Sequence, residues 1–284
     1  MNVAVLGTGI MGGAMARRAA AAGLAVAAWS DPLEDARRLE DDGVRVAASA
    51  RDASSGADVV VTMAPDADAI GSFAGELLGG CPEVWCQCAT VGLQGCARLE
   101  ALARDAGVAY VDAPVLGTRE PAERGELVVL ASGPDDAIER CAPFFDAIGR
   151  RTLRLGQAGA GTRLKLVVND WIVGCVAVLS ETMALAGALD VDGETFLDAI
   201  AGSAVDMGYA QAKGRMMLDG TYPASMPLAH AAKDARLAAE AAAGHGLDHA
   251  VTRAAAALLE RAGERGDPTE DMAAAFRAAA ERGR

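Results

Sequence analysis

Few polar side chains interrupt the long apolar stretch 162–187, and two of them, Lys165 and Asn169, are four residues apart. In a helix this spacing places the ammonium and the carboxamide on one side, one turn apart. An ammonium in a cleft of low dielectric can give up its proton, whereas a guanidinium cannot. Lys165 could therefore act as a proton donor with Asn169 as its companion, or it could simply extend its ammonium to water.

Lysine is rare in this chain. The sequence has 26 basic residues, of which only Lys165, Lys213 and Lys233 are lysines. Arginine serves almost everywhere that a positive charge is needed. We therefore interpret the lysine inside the apolar stretch as one present for its exchangeable proton.

A glycine-rich segment follows the first predicted strand, residues 2–6. Gly7, Gly9 and Gly12 form the pattern G-x-G-x-x-G between this strand and an alanine-rich helix expected over residues 13–22. Such glycines allow a tight turn, the close approach of a pyrophosphate and close helix–strand packing, with the phosphates at the helix N-terminus. In this context the pattern predicts a dinucleotide site.

Ser30 and Asp31 follow the second predicted strand, residues 25–29. A carboxylate at this position can bind the ribose hydroxyls of the adenosine and repel a 2′-phosphate, which favours NAD without excluding NADP. Asp31 could instead cap a helix predicted over residues 33–42, while Arg37 or Arg38 reaches a phosphate.

Strands and helices alternate up to residue 155, which predicts a mostly parallel sheet covered by helices on both faces, with a ligand at the carboxyl ends of the strands. The further strands are expected at 44–47, 57–65, 84–90, 108–115, 127–132 and 152–155. After Gly161 only helical periodicity remains, beginning with the stretch 162–187, for which Thr162 is the expected N-cap. The predicted fold is a Rossmann-type α/β N-terminal domain joined by a long central helix to an all-α C-terminal domain. Residues 1–161 would bind the dinucleotide, and residues 162–284 would serve substrate binding and oligomerisation.

The composition of the chain limits the classes of molecule that it is expected to bind. A net charge of −13 argues against nucleic acid and anionic membranes, because both would repel such a surface. The stretch 162–187 is long enough to span a bilayer, but lipid would make the side chains of Lys165, Asn169, Asp170 and Glu181 costly. The six cysteines show no C-x-x-C spacing, so we expect reduced thiols and no metal site. Because the chain opens directly with a strand, we expect a cytoplasmic protein.

Four segments together resemble the β-hydroxyacid dehydrogenases, and most closely their glyoxylate/succinic semialdehyde reductase branch. The segments are GTGIMGGAMA (7–16), DAPVLGTREPAERGELVVLASG (112–133), GAGTRLKLVVN (159–169) and PLAHAAKDARLA (227–238). The resemblance implies an NAD(P)-dependent oxidoreductase that transfers a hydride between the nicotinamide and a small aldehyde acid or β-hydroxyacid. It makes Lys165 the general acid/base and Asn169 its companion.

The resemblance also implies roles for other residues. Leu116, Gly117 and Thr118 would hold the substrate carboxylate, and Lys233 would close the site toward both substrate and cofactor. The remaining positions expected to bind the cofactor are Ile10, Met11, Met63, Ala64, Pro65 and Thr90. Two positions depart from the family pattern, because Leu116 replaces a serine and Asp31 stands where NADP-preferring reductases carry arginine. The leucine favours succinic semialdehyde over glyoxylate.

Two other functions remain open at this point. A dinucleotide-binding protein without catalysis would keep the fold but would have no need for Lys165 and Asn169. An imine-reductase-like enzyme would share the fold but lack the lysine at position 165. By analogy with the family, we expect a homo-oligomer, either a dimer or a tetramer.

Overall fold

The structure is a computed structural model that describes residues 1–281. The chain forms two compact units, of which the first is Met1–Lys165 and the second begins at Leu166. The domain boundary expected from the sequence lies four residues earlier. The assignment of nucleotide binding to the first domain and of substrate binding and oligomerisation to the second stays a prediction.

The first unit contains a six-stranded sheet, in the order β3-β2-β1-β4-β5-β6, in which all strand pairs are parallel. Its strands are β1 Asn2–Leu6, β2 Ala25–Trp29, β3 Arg45–Val46, β4 Val59–Thr62, β5 Val84–Gln87 and β6 Ala109–Asp112. Val3 and Val5 of β1 belong to one apolar cluster, and Ala4 and Leu6 belong to another. Because successive side chains of a strand point to opposite faces, the sheet is covered on both sides, as predicted.

The helices of this unit are α1 Ile10–Ala21, α2 Glu34–Arg37, α3 Ala50–Ser54, α4 Ala67–Gly79, α5 Gly92–Asp105, α6 Arg119–Arg124 and α7 Asp135–Ile148. The sequence did not predict α3 and α6, which are too short to show a helical period. The single helix expected over 33–42 is α2 followed by a 3₁₀ turn at Glu40–Asp42.

The sequence predicted one sheet, but the structure contains a second sheet of three strands. Strands β7 Val115–Leu116, β8 Leu127–Ala131 and β9 Gly149–Arg154 form it, with β7 antiparallel to β8. The strand expected over 108–115 is therefore two strands separated by Ala113 and Pro114. Proline has no amide hydrogen to donate to a ladder, so the chain leaves the first sheet here and enters the second.

The long helix α8, Ala160–Ala188, begins before Thr162, so the prediction of Thr162 as N-cap is wrong. The Thr162 backbone N–H and hydroxyl both donate to the carboxylate of Asp112, at 2.8 and 2.7 Å. By length and composition α8 could cross a membrane, and 28% of its most apolar 18-residue window is buried within the chain. It is the one helix among residues 1–281 that meets these criteria.

The part of the second unit that the structure describes is helical, as predicted. After α8 come α9 Gly193–Ile200, α10 Gly208–Asp219, α11 Leu228–Gly244, α12 Ala250–Arg265 and α13 Ala275–Ala279. A 3₁₀ turn at Met272–Ala274 leads directly into the short α13. Small alanine side chains from α11 and α12 fill much of the core of this unit, which lets the helices approach closely.

Candidate active site

The loop after β1 is built from glycines that two close contacts require. Gly7 has φ +90°, and a Cβ there would lie 2.3 Å from the carbonyl oxygen of Met63. A Cβ on Gly12 would lie 1.9 Å from the carbonyl oxygen of Gly7. At Gly9, the N-cap of α1, a Cβ would meet nothing within 4 Å. The loop therefore packs tightly on one side and leaves its backbone open at the helix N-terminus.

The groups around this open face fit the phosphates of a dinucleotide. The Thr8 N–H donates to Ser30 Oγ at 3.2 Å, which ties the loop to the end of β2. Thr8 Oγ1 is buried and has no hydrogen-bond partner among the described residues. The first turn of α1 carries no acidic residue, and Gly9 provides no side-chain cap. Unpaired donors at the positive end of a helix form a suitable site for an anion.

Four neighbouring strand ends bring the other predicted cofactor residues to one edge. Since β2, β1, β4 and β5 are adjacent and parallel, the segments that follow them lie side by side. These segments carry Ser30 and Asp31 after β2, the loop from Gly7 with Ile10 and Met11 after β1, Met63, Ala64 and Pro65 after β4, and Thr90 after β5. The parallel sheet thus groups these residues, while their roles in binding stay predictions.

Asp31 is exposed beyond β2. Helix α2 begins at Glu34 with Leu33 as its N-cap and no side-chain cap, so Asp31 does not serve as the cap. Arg37 and Arg38 form exposed ion pairs with side chains of α2 itself, at 3.4 and 3.1 Å. The structure therefore removes the capping alternative for Asp31.

Lys165 is half-buried on the second turn of α8, and its Nζ donates to the carbonyl oxygen of Val115 at 2.9 Å. This bond joins the ammonium to β7, whose second residue is Leu116. Gly117 follows with φ +125°, and a Cβ there would lie 2.6 Å from Leu127 Cδ2. Thr118 is the N-cap of α6, but its side chain makes no capping hydrogen bond. The predicted substrate loop and Lys165 therefore lie together in the first unit.

A buried carboxylate holds the start of α8 against the sheets. Asp112, at the end of β6, accepts hydrogen bonds from Thr162 and, at 3.2 Å, from Ser132 Oγ. Burial raises the pKa of Asp112, and these hydrogen bonds offset the effect only in part. Because Lys165 follows Thr162 by three residues, the anchor sets the position of the lysine. Sequence reasoning did not identify Asp112, although a carboxylate at a strand end was a visible signal.

Asn169 lies one turn beyond Lys165 on α8 and is fully buried. Its Nδ2 donates to Asp234 Oδ2 at 2.6 Å. Asp234 Oδ1 lies 2.9 Å from Nζ of the neighbouring Lys233. The second unit therefore joins two predicted residues, Asn169 and Lys233, through an aspartate that sequence reasoning missed. Its adjacency to Lys233 in a resembling segment was the signal that could have revealed it.

All six cysteines are free. Cys86, Cys88 and Cys141 are buried, and the Sγ atoms of the first two lie 3.7 Å apart. Burial raises the pKa of the Cys86 thiol, which makes it a weak nucleophile. Within residues 1–281 no group of three or more His, Cys, Asp and Glu side chains is arranged to hold a metal ion.

Comparisons with known proteins agree with this architecture. Residues 2–156 match the family model described as the NAD binding domain of 6-phosphogluconate dehydrogenase. Residues 159–279 match the model described as NAD-binding of NADP-dependent 3-hydroxyisobutyrate dehydrogenase.

Two curated relatives come from Arabidopsis thaliana. Glyoxylate/succinic semialdehyde reductase 1 is 32% identical over 244 residues, which is 84% of each chain. The chloroplastic glyoxylate/succinic semialdehyde reductase 2 is 28% identical over 283 residues, covering 98% of this chain and 79% of the relative. The crystal structure of 3-hydroxyisobutyrate dehydrogenase from Salmonella typhimurium has the same fold, with a TM-score of 0.89, 24% identity and coverage of 98% and 99%. The two family-model matches and the 32% identity to the first relative confirm the predicted family. This chain belongs to the NAD(P)-dependent β-hydroxyacid dehydrogenases.

Proposed function

We propose that this protein reduces a small aldehyde acid, or oxidises the corresponding hydroxyacid, with Lys165 as the proton donor and acceptor. The observation that carries the proposal is the 2.9 Å bond from Lys165 Nζ to the Val115 carbonyl, beside Leu116, Gly117 and Thr118. The bound nicotinamide supplies or accepts the hydride. The task of the protein is to place the substrate and to manage charge and proton at its reacting oxygen.

The Val115 carbonyl fixes where the ammonium points, because Lys165 would otherwise sample many rotamers. The ammonium carries three protons, and one of them is used in this bond. In reduction the ammonium gives a proton to the oxygen, and in oxidation the amine accepts it. The backbone amides of Gly117 and Thr118, with the Thr118 hydroxyl, would hold the substrate carboxylate. Asn169 would complete the site one turn further along α8.

The test is turnover of a panel of aldehyde acids and hydroxyacids by wild type and Lys165→Met. We expect kcat to fall by about 10²–10⁴-fold, the usual contribution of a positioned acid or base, with cofactor affinity unchanged. Arg163→Met, an exposed change on the same helix, is the matched control and should leave kcat unchanged.

Other outcomes identify the alternatives. Cofactor binding by wild type without turnover of any panel member would favour a non-catalytic dinucleotide-binding protein. Reduction of cyclic imines by Lys165→Met at the wild-type rate would favour an imine-reductase-like enzyme. Wild-type kcat for Lys165→Met on an acid substrate would show that the lysine only reaches toward water.

The proposed cofactor is NAD, with NADP as the alternative. The support is the exposed carboxylate of Asp31 at the end of β2, which is free of the capping role. Asp31→Arg should narrow or invert a preference for NADH over NADPH in kcat/KM, because it replaces a charge that repels a 2′-phosphate with one that attracts it. Asp41→Arg makes the same charge change at an exposed position and should leave the preference unchanged. A clear NADPH preference in wild type would contradict the assignment.

The proposed substrate is succinic semialdehyde in preference to glyoxylate. Leu116 is half-buried and offers apolar surface to extra methylene groups, at about 0.8 kcal/mol for each one fully buried. Leu116→Ser should shift the ratio of kcat/KM toward glyoxylate, since it adds a hydroxyl that can bind the carboxylate. Leu116→Ala separates the hydroxyl from the loss of bulk. If neither variant changes the ratio, Leu116 does not contact the substrate.

The proposed partners are a small carboxylate-bearing substrate and further copies of this chain, as a dimer or tetramer. The support for self-association is the exposed apolar face of α8, where Trp171 and Val178 are 65% and 58% exposed. The charge of −13 speaks against nucleic acid and anionic membranes. The proposed location is the cytoplasm, and six free thiols are compatible with its reducing conditions. Cell fractionation and light scattering test these points.

A further inference from the structure

Ser132 is a fully buried residue to which the proposed function gives no role. It follows β8, and its backbone exchanges two hydrogen bonds with Asp112 at the end of β6, at 2.8 and 2.9 Å. Its hydroxyl lies 3.2 Å from Asp112 Oδ2 and accepts a hydrogen bond from the Gly161 N–H at 3.0 Å. Ser132 therefore connects the second sheet both to the carboxylate at the edge of the first sheet and to the first turn of α8.

The first turn of α8 is attached by three hydrogen bonds to acceptors outside the helix. The Gly161 N–H donates to Ser132 Oγ. The Thr162 N–H and hydroxyl both donate to the carboxylate of Asp112, at 2.8 and 2.7 Å. Amides of a first helical turn have no partner within the helix, so these acceptors hold the turn in place. Gly161 also has no room for a side chain, because a Cβ there would lie 2.2 Å from the carbonyl oxygen of Leu130.

Lys165 lies three residues beyond Thr162 on α8 and is attached to the same segment of the first unit. Its Nζ donates to the carbonyl oxygen of Val115, which lies three residues beyond Asp112. The two pairs therefore have the same separation of 50 residues. Three residues of an α-helix advance by about 4.5 Å, so the backbone of Lys165 is placed once Thr162 is held. The Val115 carbonyl then fixes the far end of the lysine side chain.

We infer that Ser132 and Thr162, acting through Asp112, are positioning residues for Lys165. The inference rests on the proposed function, because it takes Lys165 as the group that transfers the proton. A lysine ammonium sits on a flexible four-carbon chain, so it keeps one position only when both its backbone and its Nζ are held. A misplacement of about 1 Å can lower the rate of an enzyme about 10²-fold. Ser132 and Thr162 thus affect the reaction without any contact with the substrate.

The first measurement follows the lysine side chain directly. The chain has only three lysines, so lysine labelled with ¹³C at Cε gives three methylene environments in an NMR spectrum of the full chain. Lys165→Met identifies the signal of Lys165 by its loss. In Ser132→Ala and in Thr162→Val we expect this signal to shift or broaden, because the first turn of α8 is held less firmly. Ser54→Ala is the matched control and should leave the signal in place.

The second measurement is turnover of the best substrate in the panel. Ser132→Ala and Thr162→Val should each lower kcat by about 10-fold or more, with the Kd of the cofactor within about twofold of the wild-type value. Thr162→Ser keeps the hydroxyl and should retain most of the wild-type kcat. Ser54→Ala removes another fully buried hydroxyl of the first unit, which donates to the Ala50 carbonyl at 2.8 Å. This control should lose as much stability in urea as Ser132→Ala and keep the wild-type kcat.

The inference requires both a changed Lys165 signal and a reduced kcat, and the absence of either overturns the role of the residue tested. If Ser132→Ala or Thr162→Val does not fold, the other variant decides. An equal loss of kcat in Ser54→Ala would also overturn the inference, because general destabilisation would explain it. If Lys165→Met is impaired and both test variants are not, only the positioning role is rejected. If Lys165→Met keeps the wild-type kcat, the proposed function is rejected and this inference with it.

Discussion

The two units of this chain stabilise a buried carboxylate in opposite ways. In the first unit Asp112 accepts from neutral donors, which include those of Thr162 and Ser132. In the second unit Asp271 lies 2.6 Å from the ammonium of Lys213 and also accepts from Ser225 Oγ at 2.7 Å. Burial raises the pKa of both groups. At Asp271 the charge and hydrogen bond of Lys213, together with hydrogen bonds from Ala273 and Ser225, outweigh burial, so the pKa lies below its usual value. The sheet unit thus uses hydroxyls and a helix N-terminus where the helical unit uses an ion pair.

The surfaces of the units also differ. Among the described residues, nine large hydrophobic side chains are exposed in the second unit, whereas three are exposed in the first. Four of the nine, Val167, Trp171, Val178 and Leu185, follow each other along α8 at intervals of four, seven and seven residues. Such intervals keep them on one side of the helix. The helical unit therefore has an exposed apolar face suited to association.

The largest loss of stability is expected from Lys213→Met. It leaves the Asp271 carboxylate buried without its cation, which typically costs about 3–5 kcal/mol of unfolding free energy. Urea denaturation followed by circular dichroism measures the loss. Arg236→Met removes an exposed partner of Glu260 in the same unit and should cost less than about 1 kcal/mol. A loss as small for Lys213→Met as for this control would remove the distinction between the units.

The association of the helical unit provides the next test. A charge placed in the centre of a buried interface should weaken binding by about 2 kcal/mol or more, so Val178→Glu should raise the dimer dissociation constant at least about 30-fold. Analytical ultracentrifugation measures it. Leu102→Glu, at an exposed apolar position of the first unit, is the control and should leave the mass unchanged. A monomeric wild type would show that the α8 face is not an interface between copies of this chain.

A smaller effect is expected from Asp112→Asn. The amide replaces one of the two acceptor oxygens by a donor, so the Thr162 N–H and hydroxyl can no longer both donate to this side chain. The loss should be about 1–3 kcal/mol of unfolding free energy, less than for Lys213→Met because no charge is left without a partner. The same denaturation experiment measures both variants. A larger loss of unfolding free energy for Asp112→Asn than for Lys213→Met would contradict this expected order.

The smallest effects are in the pH dependence of stability, where the two carboxylates should act with opposite sign. The folded pKa of Asp271 lies below its unfolded value of about 3.9, so its contribution is full above that value and is lost as the pH falls through the folded pKa. The folded pKa of Asp112 lies above its unfolded value, so the stability that it contributes increases as the pH falls between the two.

Unfolding free energies of wild type, Asp112→Asn and Asp271→Asn between pH 3 and 7 test these signs. The difference from wild type should shrink with acidification for Asp271→Asn and change in the other direction for Asp112→Asn. If Asp271→Asn is too unstable, Lys213→Met/Asp271→Asn has no unpaired buried charge and replaces it. If the difference in unfolding free energy from wild type changes with pH in the same direction for both variants, the two pKa values do not shift in opposite directions.

Local sequence patterns determined much of this protein. The glycines at 7, 9 and 12 act mainly through the conformation of their own backbone, so their spacing predicted the loop correctly, while the contact of Gly7 with Met63 depends on the fold. The periods of strand and helix likewise predicted β1, β2 and the helical second unit, because each depends on side chains two to four residues apart. Four adjacent parallel strands then brought the predicted cofactor residues to one edge.

The pairing of the buried polar side chains could be established only from the tertiary structure. Asp112 and Thr162 are 50 residues apart, Asn169 and Asp234 are 65 apart, and Lys213 and Asp271 are 58 apart. Helix and strand periodicity relates only residues that are close in sequence, so it does not indicate these pairs. The sequence also does not show whether an aspartate is exposed or paired with a buried partner. Thr162 shows the difference most clearly, since its type suggested a cap while its hydroxyl in fact donates to Asp112. Its partner is chosen by where β6 ends beside α8, which depends on long-range packing.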